Sequence, residues 1–203
     1  MCRHLYFLDQ PCCDGHPELQ YVRNNLHLHM GPTLKSHDSI GAPVVADLGF
    51  YAVVAETDWS WNPSLADFDN DGYRDLIITN GYPRDVTDHD FAAFRNETVF
   101  ASKTDLINQM PQIKVPNYAF RNTGKLRFEN VTSQWGMNEP SFSNGAVYVD
   151  LDNDGDLDYV INNINDEAFV YENTTNSNDK INANYLEIKF IGDNKNINGL
   201  GAI

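Results

Sequence analysis

The sequence predicts a mainly β protein: four-stranded antiparallel sheets arrayed as part of a β-propeller, with a helical insertion. Three observations predict it. An acidic motif occurs twice in one register, short β-branched runs flank both copies, and the connection between them holds a further strand–turn–strand pattern.

Residues 64–81 read SLADFDNDGYRDLIITNG and residues 147–164 read VYVDLDNDGDLDYVINNI. Each contains D-x-D-N-D-G-x-x-D. The first copy places Asp67, Asp69, Asp71, Gly72 and Asp75; the second places Asp150, Asp152, Asp154, Gly155 and Asp158. The register continues upstream, where Ser60 matches Ser143 and Trp61 matches Asn144.

A hard cation such as Ca²⁺ takes about six to eight oxygen ligands at about 2.3–2.6 Å. Carboxylates at positions 1, 3 and 5 of a tight loop point inward together. A glycine at position 6 supplies the positive φ that turns the chain back. The carboxylate at position 9 and the backbone carbonyl at position 7 complete the shell. The expected metal ligands are therefore Asp67, Asp69, Asp71, Tyr73 and Asp75 in one loop, and Asp150, Asp152, Asp154, Asp156 and Asp158 in the other. That is about two calcium ions; Mg²⁺ suits the loops less because it demands a small octahedral shell.

An EF-hand opens in the same way but needs a glutamate at position 12 and flanking helices. Position 12 is Ile78 in one copy and Ile161 in the other. The flanks, Leu65-Ala66 with Leu76-Ile77-Ile78-Thr79 and Tyr148-Val149 with Tyr159-Val160-Ile161, read as strands. The units are strand–loop–strand, and the EF-hand is rejected. A solvated turn that binds nothing is the other alternative, since Asp, Asn and Gly dominate turns. Four like charges within nine residues, in two copies, weigh against it.

Tyr118 to Asn122 and Leu126 to Thr132 read as two strands about a turn at Asn122 to Gly124. Val22 to Gly31 resembles the first half of this pattern, and Phe169 to Asn173 repeats its aromatic–Asn ending. One repeat is thus expected to be a four-stranded sheet, with the acidic loop joining its inner two strands. Between Asp85 and Gln112, Phe91, Phe94, Val99, Phe100, Leu106 and Ile107 recur at helical spacing, bracketed by Pro83 and Pro111. One or two inserted helices are expected there; for Asp85, Asp88, His89 and Asp90 a metal cluster is the alternative, and a helix N-cap with first-turn acids the expected reading.

At this point the residues resemble a known family. The paired acidic loops between short strands are similar to the FG-GAP or VCBS-type repeats of integrin α-subunit propellers and bacterial surface proteins. Thr57 to Trp61 running into Ala66 to Gly72 resembles the bacterial relatives of cartilage acidic protein. In those relatives an ASPIC/UnbV domain follows the last repeat. Asn184 to Phe190 and Gly192 to Ile203 resemble its beginning, with Tyr185 where tryptophan is usual. The resemblance implies residues 46–175 as propeller repeats, with the insert at about 85–112, and residues 176–203 as a linker and the start of a small C-terminal β domain. Residues 1–45 match poorly and suggest the remnant of a preceding blade. A propeller needs about four to eight blades, so the chain is expected to be an arc of a longer protein.

The chain has 203 residues, 41% of them hydrophobic, enough for a sizeable core. Lys and Arg number 14 against 29 Asp and Glu, a net charge of −15. That balance argues against a phosphate backbone as partner, which needs clustered Lys and Arg, and against an anionic membrane surface. No run approaches the ~18 apolar residues of a membrane span, so a soluble chain without membrane insertion is expected. Met1 to Gln10 lacks a signal-peptide pattern. Cys2, Cys12 and Cys13, with His4 and His16, fit no ordinary zinc spacing.

The resemblance implies an extracellular or cell-surface location and a calcium-ordered, non-catalytic role in recognition or adhesion, with a surface protein or a carbohydrate as partner. A purely structural segment is the alternative. An enzyme acting on polysaccharide or phosphoester through Glu56 and Asp58 is a third reading, for which no nucleophile–base arrangement is visible. Trp59, Trp61 and Trp135 are expected to pack between blades rather than to stack on sugar.

Overall fold

The computed structural model describes residues 23–35, 39–84, 91, 94, 102–176, 188–189, 191–192 and 196–197. The Cys/His cluster at the N-terminus, the acids at 85–90 and most of the expected C-terminal strand lie outside them. The described residues form three antiparallel sheets. The first is a hairpin of β1 (His27–Lys35) and β2 (Ser39–Asp47). The second runs in the order β3 (Ser60–Ala66), β4 (Asp75–Asn80), β5 (Tyr118–Asn122) and β6 (Phe128–Asn130). The third is β7 (Ser143–Val149), β8 (Asp158–Asn163) and β9 (Phe169–Tyr171). The helix α1 (Lys103–Gln109) lies between β4 and β5.

The strands form where the β-branched runs predict them, and β5 and β6 close about the expected turn. Thr123 donates its amide to Arg127 O at 3.0 Å, and Gly124 and Leu126 adopt φ of 73° and 58°. Gly124 is needed twice over: a Cβ there would also lie 2.9 Å from the Tyr73 ring. One expectation is corrected. The acidic loop joins β3, at the edge of the second sheet, to β4, and not the two central strands. In the third sheet as well the acidic loop joins the first two strands, β7 at the edge and β8 beside it.

The two repeats share finer detail. Each first strand breaks register at the same place, between Ser60 and Pro63 and between Ser143 and Gly145. Pro63 has no amide to give, and the bulge lets Asn62 N donate to Thr79 Oγ1 at 3.0 Å instead. The repeats differ in one connection. Asp75 and Asn122 are 47 residues apart, whereas their counterparts Asp158 and Asn173 are 15 apart. The surplus, 47 less 15, is 32 residues, and it holds α1 and the helical positions Phe91 and Phe94. The Arg84 guanidinium, just past β4, donates to Ile107 O and ties the helix back to the sheet.

β4 is buried at every position because it is an inner strand with an apolar cluster against each of its faces. Leu76 and Ile78 join Phe120, Ala52 and Val54 on one side. Ile77, Ala66 and Ala119 meet Tyr159 and Ile161 of the third sheet on the other. Phe68 fills the joint, edge-on to Trp135, Tyr148 and Tyr159. Trp135 thus packs between sheets as expected, whereas Trp59 stacks on Tyr82 at 5.0 Å and Trp61 tilts against the same ring. A buried polar chain pins the joint at the end away from the loops. There Asn117 Nδ2 donates to Ser143 Oγ at 3.0 Å, and Ser143 Oγ donates to Asn163 Oδ1 at 2.7 Å.

Ile161 is 0% exposed in this joint. Ile161→Ala should cost about 2–5 kcal/mol in urea unfolding, from lost burial and the cavity left behind. Val170→Ala, on the exposed face of the same sheet, should change dilute-chain stability by no more than about 0.5 kcal/mol. Equal costs would mean that the two faces of the third sheet are not distinguished.

Candidate metal centres

Each acidic loop is held by its own carboxylates. At position 1, Asp67 accepts the amides of Asp71 at 3.0 Å and Gly72 at 2.9 Å, and Asp150 accepts that of Gly155 at 3.1 Å. At position 5, Asp71 accepts Tyr73 N at 2.8 Å and Asp154 accepts Asp156 N at 3.1 Å. The fourth and sixth residues are left-handed in both loops: Asn70 and Asn153 at φ 55° and 62°, Gly72 and Gly155 at φ 90° and 89°. Asparagine tolerates that region better than other side-chain-bearing residues, which explains the D-N-D-G core of the motif.

Position 9 does the most for the fold. Asp75 accepts Phe68 N at 3.1 Å through Oδ2 and Asn122 N at 2.8 Å through Oδ1. Asp158 accepts Leu151 N and Asn173 N through the same two oxygens, both at 2.8 Å. Each carboxylate therefore fastens the start of its loop to the end of its third strand. The asparagines answer: Asn122 Nδ2 donates to Arg74 O at 2.9 Å, and Asn173 Nδ2 to Leu157 O at 3.2 Å and Phe68 O at 2.7 Å. Asn122 and Asn173 are absent from the ligand set expected from sequence. Their signal was the shared aromatic–x–Asn ending of Phe120-Arg121-Asn122 and Tyr171-Glu172-Asn173.

The loops gather three carboxylates each. Single oxygens of Asp67, Asp69 and Asp71 lie within 4.8 Å of one another, as do those of Asp150, Asp152 and Asp158. Asp75 and Asp154 stand outside these groups. Tyr73 exposes its ring, while the Asp156 side chain is buried and accepts Asn176 N at 2.9 Å. Among the described residues, three buried carboxylate oxygens have no hydrogen-bond partner: Asp69 Oδ1, Asp150 Oδ1 and Asp156 Oδ1. An ionised carboxylate only accepts, so such an oxygen is satisfied by a cation, a proton or the O–H of a water. The donor set is all-oxygen and hard, which fits Ca²⁺ and not a soft metal.

Without a cation the fold makes some of these acids hard to ionise. Burial pushes Asp75 from 3.8 up to about 6; the Asn122 and Phe68 amides pull the other way, and the Asp69 and Asp71 charges add to the rise. Asp69 is raised by burial and then by Asp71. Asp156 is raised by burial, against the Asn176 amide, with the Asp154 charge beside it. The loops also touch. Asn70 Nδ2 donates to Gly155 O at 3.3 Å, so the first loop braces the second.

Between the two sheets a groove of about 430 Å³ opens, walled by Phe68, Trp135, Met137, Tyr159 and Tyr171, with Asn173 at its polar side. Glu56 and Asp58 do not line it; they lie in the turn before β3, both exposed. No family model matches the chain. No curated protein matches it either.

An acid whose pKa is higher in the fold than in the unfolded chain stabilises the fold below its unfolded pKa and loses that contribution as pH rises through its folded pKa. The chelated chain should therefore melt at a higher temperature at pH 5 than at pH 7.5, and Asp75→Asn should shrink the difference. A melting temperature that rises steadily from pH 5 to 7.5 in chelator would contradict this.

Proposed function

We propose that the chain is a calcium-binding, non-catalytic module of recognition or adhesion, at the cell surface or secreted, in which about two calcium ions order successive blades of a partial β-propeller. The repeats would be of the FG-GAP/VCBS type. One observation carries this reading: two loops in the same register repeat the same hydrogen-bond circuit and each gather three carboxylates. A turn that bound nothing would have no use for unpartnered buried oxygens at Asp69 and Asp150.

The cation would act where like charges crowd. It offsets the repulsion among the loop carboxylates, so its binding free energy adds to that of folding. Millimolar extracellular calcium suits sites of modest affinity. Among the described residues, the groove between the sheets, with aromatic walls and amide groups, suits a carbohydrate or a surface-protein side chain. A net charge of −15 keeps nucleic acid out of the partner list. A purely structural role for the cations is favoured by the Asn70–Gly155 contact, which spends one loop on bracing the other.

Calorimetric titration of Asp69→Ala and Asp152→Ala tests the assignment. Each variant should bind about one calcium ion fewer than the parent chain and lose part of the calcium-dependent rise in melting temperature. Unchanged stoichiometry in both variants would remove these loops as the sites.

A further inference from the structure

The two acidic loops differ at position 7. The first has Tyr73 there, whose exposed ring lies against Gly124, and the second has Asp156, whose side chain is buried. The second loop therefore carries the carboxylates of Asp150, Asp152, Asp154, Asp156 and Asp158, one more than the first. The acids also divide differently. The first loop gathers those of positions 1, 3 and 5, whereas the second gathers those of positions 1, 3 and 9 and leaves Asp154, at position 5, outside the group.

Asp154 is engaged with Asp156 instead. Its Oδ1 accepts Asp156 N at 3.1 Å, and the two side chains stand within hydrogen-bonding reach of each other. Asn176 clamps both residues: its amide donates to Asp156 Oδ2 at 2.9 Å and its side chain to Asp154 O at 3.0 Å. Asp156 is only 1% exposed, and its Oδ1 has no hydrogen-bond partner. The charges that bear on it, those of Asp154 and Asp158, are both negative. No ion pair among the described residues involves it.

A buried carboxylate oxygen without a donor, beside a second carboxylate, is unfavourable twice over: the oxygen is unsatisfied and the charges repel. A water would supply the hydrogen bond and leave both charges in place. A shared proton would remove one charge and leave the crowding at Asp150, Asp152 and Asp158 as it is. A hard cation satisfies the oxygen and the charge together. An ion held by Asp150, Asp152 and Asp158 leaves the other two carboxylates of the loop without a counter-charge.

We propose that Asp154 and Asp156, clamped by Asn176, form a further calcium position in the second loop, beside the one at Asp150, Asp152 and Asp158, so that the chain binds three ions rather than two. The proposal rests on the reading of the loops as calcium sites. The first loop has no such position, because Tyr73 brings no carboxylate. Two carboxylates against three make this the weaker position of the second loop, with water completing its shell.

Calorimetric titration of the metal-stripped full chain with calcium chloride at pH 7.5 tests this, with bound ions counted by native mass spectrometry and folding checked by circular dichroism. The parent chain should take three ions. Asp156→Asn and Asp154→Asn should each take two and keep most of the calcium-dependent rise in melting temperature. Both substitutions retain an oxygen for the amide that the carboxylate now accepts, from Asn176 in one case and Asp156 in the other. A parent chain and variants that all take two ions would overturn the proposal and leave the loop sites standing, with a proton or a water between the two carboxylates. Three ions in the parent and in both variants would overturn it too, by placing the third elsewhere. A parent chain that takes none would overturn it together with the loop sites.

Discussion

Two buried carboxylates hold the architecture together. Asp75 and Asp158 each sit at the first residue of a second strand, and each accepts one amide from the start of an acidic loop and one from the end of a third strand. Hydrogen bonds to a charged group contribute about 1.5–3 kcal/mol each, against roughly 1 for neutral ones. They also fix geometry, because two amides from distant parts of the chain converge on a carboxylate that cannot move. Removing either would release the loop and the strand end together.

The same constraint couples the sheets. Asn173, whose amide is fixed by Asp158, sends its side chain across the joint to Phe68 O, the residue whose amide is fixed by Asp75. The position-9 carboxylates of the two repeats are therefore linked through one asparagine and one phenylalanine. Phe68 then presents its ring to Trp135, Tyr148 and Tyr159. Loop geometry, strand pairing and the apolar joint are three aspects of one arrangement. The opposite end is independent of it and rests on the chain of Asn117, Ser143 and Asn163.

Much of this was legible because period and spacing carry it. The β-branched runs at Leu76 to Thr79 and Tyr159 to Ile161, and the turn at Asn122 to Gly124, became strands and hairpin where the pattern placed them. The order of strands within the sheet was less accessible, since a loop motif says which strands it joins but not whether a further strand lies outside them. The roles of Asn122 and Asn173 were hidden for a related reason. Their repeat offset differs from that of the loops by the length of the insertion, so no fixed register aligns both. Trp59 and Trp61 read as joint residues because they are large and apolar, yet the bulge after Ser60 directs Trp61 to Tyr82, where its indole donates to Gly81 O at 2.7 Å. Local irregularity overrode a composition argument.

A tension remains in the design. The amides that converge on Asp75 favour its ionised form, while burial and the neighbouring Asp69 and Asp71 oppose it. On the proposed reading, a divalent cation bound by the loop would resolve the conflict by neutralising the neighbours without competing for the amides. The most direct measurement is residue-resolved amide hydrogen exchange at Phe68, Asn122, Leu151 and Asn173, at neutral pH, in calcium and in chelator. The account predicts strong protection of all four in calcium and a marked loss in chelator, with the amides of Ile77 and Ile161 less affected. Equal protection of the four amides in both conditions would contradict it, for the loops would then close without a cation.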